Sequence, residues 1–187
     1  MKSKRSGFTL IELLLVVAII GILSSLLIPN VMIAIQKSKQ KSCMKEIIFM
    51  ATGCTDFIVD RGSWETIDQD GPLLSSGPFV EALYSYRLKQ FPVHDPWGTA
   101  YWIHVGPEAV AGAISGIPAD DCGWDDFLIH SLGRDAEAGP TYDTYDEGDP
   151  QAGFYTLVTI ADFDEDLVNW SGSWIIAPRV AREQPGS

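Results

Sequence analysis

The stretch from Phe8 to Ile28 reads FTLIELLLVVAIIGILSSLLI, with Glu12 as its single charge. About twenty predominantly apolar residues is the length a helix needs to span a bilayer. After Pro29 the pattern changes. Apolar residues recur at Met44, Ile47, Ile48, Ala51, Cys54, Phe57 and Ile58, the three-and-four spacing of an amphipathic helix, while Lys37, Lys39, Gln40, Lys41, Lys45 and Glu46 supply polar positions. The two patterns predict one helix from Phe8 to about Asp60, stopped at Arg61-Gly62 and roughly 80 Å long at 1.5 Å per residue. Its first half, 8–28, belongs in membrane or in the centre of an assembly; its second half, 29–61, backs a globular head. Gly21 and Pro29 lie within and just beyond the apolar run, and mark the stretch between them for loosening or a kink, because glycine lowers helix propensity and proline donates no amide.

The remainder, 62–187, reads as the head. Residues 63–77 carry Asp68, Asp70, Gly71, Pro72, Ser75, Ser76 and Gly77, a loop composition. Pro78 to Tyr84 suits a short helix with proline in its first turn. Asp95-Pro96-Trp97-Gly98 makes a turn into an aromatic-rich strand, Tyr101 to Val105, with further strands expected at Asp126 to Ser131 and Phe154 to Ile160. A helix followed by strands predicts an α+β fold, in which a small antiparallel sheet packs on the second half of the long helix.

Charge narrows the function classes. The chain of 187 residues holds 25 acidic and 13 basic residues, a formal charge of −12, which argues against nucleic acid as a partner. Lys2, Lys4 and Arg5 all precede the apolar run. A basic flank of this kind is retained in the cytoplasm, so the head is expected on the far side of the membrane. A secretory signal would end its shorter apolar core in a small-residue cleavage site, and none follows Ile28-Pro29-Asn30. Three cysteines, Cys43, Cys54 and Cys122, leave two readings open. A Cys54–Cys122 bond suits an oxidising compartment, and three small buried thiols suit the core.

At the other end of the apolar run, Arg5-Ser6-Gly7 followed by Phe8-Thr9-Leu10-Ile11-Glu12 resembles the prepilin cleavage motif of type IV pilins and type II secretion pseudopilins. The resemblance implies that residues 1–7 form a leader removed after Gly7 by a prepilin peptidase. Phe8 becomes the N-methylated first residue, and the apolar helix is kept. Loss of the three leader cations would take the formal charge from −12 to −15. Glu12 then has an assigned use. A carboxylate on a membrane helix is costly unless paired. Opposite the free amine of Phe8 on a neighbouring copy, it would act as a register device that penalises misaligned helices. Gly21 and Pro29 also match the family pattern, in which this stretch loosens as subunits pack. Three later segments narrow the resemblance to the major pseudopilin branch: Asp95-Pro96-Trp97-Gly98 with Tyr101, Phe127 to Asp135, and Asp166-Leu167-Val168-Asn169-Trp170. The sequence departs from that branch in a long loop after Ala136, an extra stretch between Val105 and Asp125, and Gly62-Ser63-Trp64.

Between Asp120 and Asp166 lie fourteen carboxylates against one basic residue, Arg134. Such crowding calls for solvent or a cation, and oxygen-only donors on a flexible exported loop suit Ca²⁺. Asp162, Asp164 and Asp166 resemble an EF-hand opening, but Leu167 stands where the turn glycine belongs and Ser173 where the bidentate Glu belongs, which rejects that motif. The pseudopilin resemblance implies calcium held by the Leu132 carbonyl and the carboxylates of Asp135 and Asp166; Asp143, Asp146, Asp149 and Asp164 are equally able donors. The alternative is a solvated acidic loop. His94, His104 and His130 are scattered, with no zinc spacing, no nucleophile elbow and no phosphate loop, so a non-enzymatic role is expected.

The implied function is a structural subunit of a type II secretion pseudopilus. It would form a homopolymer joined by minor pseudopilins, processed by the prepilin peptidase and built on an inner-membrane platform, with the head in the periplasm. A type IV pilin of a surface filament and a membrane-anchored, calcium-dependent binding module or hydrolase are the alternatives.

Overall fold

The computed structural model describes residues 8–84, 91–137 and 145–179. The leader, including Gly7, and Asp143 lie outside the described residues. One helix, α1, runs from Leu10 to Arg61. Its stop follows from local chemistry: Gly62 adopts φ 90°, a left-handed conformation that only glycine takes without strain, and its amide donates to the Ile58 carbonyl at 2.7 Å. Beyond α1 come β1 (Asp70–Pro72), α2 (Pro78–Tyr84), β2 (Trp102–Val105), α3 (Pro107–Ala113), β3 (Phe127–Ser131), β4 (Phe154–Tyr155), β5 (Leu167–Trp170) and β6 (Ser173–Pro178). The sheet order is β1-β2-β3-β5-β6-β4. The architecture is α+β as expected, but the sheet is mixed: every pairing is antiparallel except β4 with β6, which is parallel.

Alternation along the strands sorts side chains to two faces. Cys43, Ile47, Met50, Cys54 and Phe57 of α1 meet Ile103, Val105, Phe127, Ile129 and Leu167 of the sheet, with Trp64, Phe79 and Tyr101 filling the edges. Trp64 stacks on Phe57 with ring centroids 4.5 Å apart. On the opposite face Leu128, Val168 and Ile176 pack against Val110, Ile114 and Ile117. All five residues of β3 are therefore buried. The extra stretch between Val105 and Asp125 forms this second layer, with α3 at its start. The third expected strand, Phe154 to Ile160, shrinks to two residues, and a 3-10 turn occupies Ala161–Phe163. From within that turn Asp162 accepts from the amides of Val158 and Thr159, which folds the chain back and ends the extended run.

No disulfide links the three cysteines; all are free. Cys54 lies in the helix-facing core and Cys122 packs with the second layer, which places the sheet between them. Burial pushes the Cys43 thiol up to about 12 and raises Cys54 as well, so both behave as small apolar residues.

The head is clamped to the stem by the Asp95 turn. Asp95 is buried, and its Oδ1 accepts from the amides of Trp97, Gly98 and Thr99 at 3.0, 2.9 and 3.0 Å, while Oδ2 accepts from the Ser131 hydroxyl at 2.8 Å. The turn in turn grips α1. Trp97 Nε1 donates to Gln36 Oε1 at 2.7 Å, and the Tyr101 hydroxyl donates to Glu46 Oε2 at 2.8 Å. At the sheet edge, buried His104 contacts the Asp70 carboxylate through Nδ1.

Two outcomes follow from these contacts. Asp95→Ala, which strands three turn amides, should destabilise the head by about 3 kcal/mol in denaturant unfolding, whereas a surface change such as Asp60→Ala should cost under about 0.5 kcal/mol. Burial holds His104 below its ordinary value despite Asp70, so the unfolded state binds its proton first. The His104 contribution is full above about pH 6.5 and is lost as pH falls through the lowered folded value. His104→Leu should flatten that acid limb in a series of pH-dependent melts.

Candidate functional site

Among the described residues, the exposed large apolar side chains concentrate on the first half of α1. Phe8 is 74% exposed, and the apolar side chains from Leu10 to Ile35 are mostly open to solvent. An 18-residue window here has a mean hydropathy of 2.8 with none of it buried. An apolar face of this extent calls for lipid or other helices as cover.

At its tip, Thr9 is the N-cap of α1. The Thr9 amide and hydroxyl donate to Glu12 Oε2 at 2.9 and 2.6 Å, and the Glu12 amide donates to the Thr9 hydroxyl oxygen at 3.3 Å. This is a reciprocal capping box. A lone helix therefore does not leave Glu12 without a partner: it serves its own N-terminus first. The signal was present in the sequence as Thr9-x-x-Glu12. Both Thr9 donors use Oε2, which leaves the geometry of Oε1 independent of the cap.

Gly21 and Pro29 do not interrupt the helix, which is continuous through both. Pro29 cannot donate to the Ser25 carbonyl. Around it, the Ser25 hydroxyl donates to the Ile22 carbonyl and Asn30 Nδ2 donates to the Leu26 carbonyl, so side chains supplement the backbone ladder where it is weakest.

The acidic region is partly brought together. Gly133 has φ 67°, and a Cβ there would meet the carbonyl oxygens of Glu165 and Asp164 at 2.8 and 2.9 Å. The turn after β3 thus lies directly on the segment before β5. The Arg134 amide donates to the Phe163 carbonyl, and its guanidinium grips Asp164 at 2.6 and 2.7 Å. Of the expected metal donors, Leu132 is buried, Asp135 is exposed and accepts from the Glu137 amide, and Asp166 is fully buried with Oδ2 3.4 Å from His130 Nε2. Asp146 and Asp149 lie farther along the loop, accepting from the Gly148 and Gln151 amides. Among the described residues no three His, Cys, Asp or Glu side chains gather as a metal site. The donor chemistry, two carboxylates and a carbonyl on touching segments, fits a hard cation, but Asp166 would have to turn from His130 to share it.

Residues 2–28 match the family described as the prokaryotic N-terminal methylation motif. The chain is 33% identical to type II secretion system core protein G of Aeromonas hydrophila over 105 residues, 54% of this chain and 73% of that one. It is 29% identical to the protein of the same name from Escherichia coli strain K12 over 133 residues, 68% and 91% of the two chains. With that of Pseudomonas aeruginosa it shares 28% over 152 residues, 79% and 96%. No solved structure matches significantly.

Proposed function

We propose that this chain, which belongs to the family of type II secretion system core protein G, is a structural subunit of the type II secretion pseudopilus. One observation carries the reading: an apolar helix left uncovered over some 28 residues ends in a methylation motif and bears a head clamped only to its second half. The apolar half anchors the chain in a membrane. Three leader cations ahead of it favour a cytoplasmic N-terminus and a periplasmic head.

In this reading a prepilin peptidase cuts after Gly7, and Phe8 becomes the methylated N-terminus. The new amine carries a positive charge that Glu12 of the adjacent copy can accept alongside its own cap. The pair is strong in low dielectric and absent in a misaligned helix, so it sets register more than bulk stability. Loosening between Gly21 and Pro29 would let neighbouring stems adjust as they pack. Minor pseudopilins and an inner-membrane assembly platform are the further partners, and the work of export is supplied elsewhere. The chain's own contribution is packing, which gives it no catalytic role. Calcium, where bound, would be held by Leu132, Asp135 and Asp166 with Asp146 or Asp164 near, and would supply positive charge to a loop with one basic residue.

Deleting the gene should stop export of folded proteins and leave surface motility intact; lost motility with normal export would mark a surface pilus instead. Glu12→Ala should insert and be cleaved as wild type yet yield few filaments in a shearing assay. Normal yield would remove the register role. For calcium, chelation should lower the melting temperature of the purified chain by several degrees and elemental analysis should find about one ion per chain. No metal and an unchanged melt would leave the loop merely solvated.

A further inference from the structure

The second half of α1 presents two charged rows that enter no ion pair with the described part of the head. Cys43, Ile47, Met50, Cys54 and Phe57 face the core. Lys37, Lys41 and Lys45 recur every four residues and are exposed, and at 100° per residue they lie on the side away from that core. Asp56 and Asp60, also four apart and exposed, share a neighbouring face with Phe49, which is itself 44% exposed. Among the described residues none of these lysines or aspartates enters an ion pair. Four of the ten basic residues beyond the leader lie within nine positions, 37–45, in a chain of formal charge −12.

We infer that the Lys37-Lys41-Lys45 row of one copy docks against Asp56 and Asp60 of a second copy, with the two stems parallel and offset along their length. Equal spacing in both rows lets two salt bridges form at once. An offset of 15 residues sets Lys41 against Asp56 and Lys45 against Asp60; an offset of 19 sets Lys37 against Asp56 and Lys41 against Asp60. These correspond to roughly 22 or 28 Å along the helix. Anionic lipid can neutralise the lysines but has nothing to offer the aspartates, which stand at least 11 residues farther from the membrane. A second copy satisfies both rows in one contact. The two faces differ, so the contact is heterologous and propagates as an open filament rather than closing on a dimer. Phe49 and the neighbouring Ile48, both half exposed, supply apolar surface beside the charges.

The inference rests on the filament reading, and charge reversal separates the two. With the full chain expressed alongside its processing and assembly machinery, Asp56→Lys with Asp60→Lys should cut the yield of sheared filaments by about tenfold. Adding Lys41→Asp and Lys45→Asp, or instead Lys37→Asp and Lys41→Asp, should restore it to within about threefold, and whichever pair succeeds identifies the offset. The milder Asp56→Asn with Asp60→Asn should lose yield while its melt stays that of wild type. Wild-type yield from the reversed aspartates, or failure of both compensating pairs, overturns the inference. So does normal assembly of lysine variants whose only defect is weaker retention on anionic membranes. If Glu12→Ala abolishes filaments and these variants do not, this contact alone falls; if the wild-type chain makes no filament, the function falls with it.

Discussion

An apolar rod that its own fold does not cover is the constraint on which the rest of the molecule turns. From Phe8 to Ile35 the chain offers lipid-like surface left uncovered by the described part of the head, while from Cys43 onward one side of the same helix is sealed under a sheet. Burying the first half therefore requires a bilayer or sister helices, and either environment strips water from whatever charge the rod carries. Glu12 is that charge. In the isolated chain its Oε2 is occupied by the Thr9 amide and hydroxyl, so the tip of the rod does not carry a bare carboxylate; in the proposed filament the amine of a neighbour would add to that cap.

The head is fitted to this task by its joint with the stem. Asp95 fixes a turn whose Trp97 and Tyr101 reach Gln36 and Glu46, just past the end of the exposed rod. The Asp95-Pro96-Trp97-Gly98 run, a family mark in the sequence, is thus a hydrogen-bonded bracket. It holds the sheet at a fixed height on the helix, so that in the proposed filament a register set at the tips would be passed on to the heads.

Much of this was legible in the residues. The length and stop of α1 follow from a change of periodicity at Pro29 and from Gly62, and α2, β2 and β3 follow from proline placement and alternating apolar runs. Less legible was anything set by tertiary contact. β5 and β6 are joined by the Ser171-Gly172 turn, with Ser171 at φ 45°, yet Leu167 to Pro178 lacks the clean alternation of a one-faced strand, because the sheet is covered on both sides. Helix α3 buries only Val110 and has no strong apolar period. The parallel β4–β6 pair joins segments some twenty residues apart and leaves no local pattern. The two readings of the cysteines stay open in the sequence for a similar reason, since spacing says nothing about which face of a sheet each thiol occupies; the structure settles on free thiols. The capping box is plain in the spacing Thr9-x-x-Glu12, yet an acid in an apolar run points first to a distant partner and only second to its nearest one.

The most direct measurement is the intact mass of the chain extracted from membranes. A mature polypeptide beginning at Phe8, heavier by one methyl group, supplies the amine that Glu12 needs and agrees with the account. A chain that still begins at Met1, or one that starts beyond Asn30, has either no amine at the tip or no rod, and contradicts it.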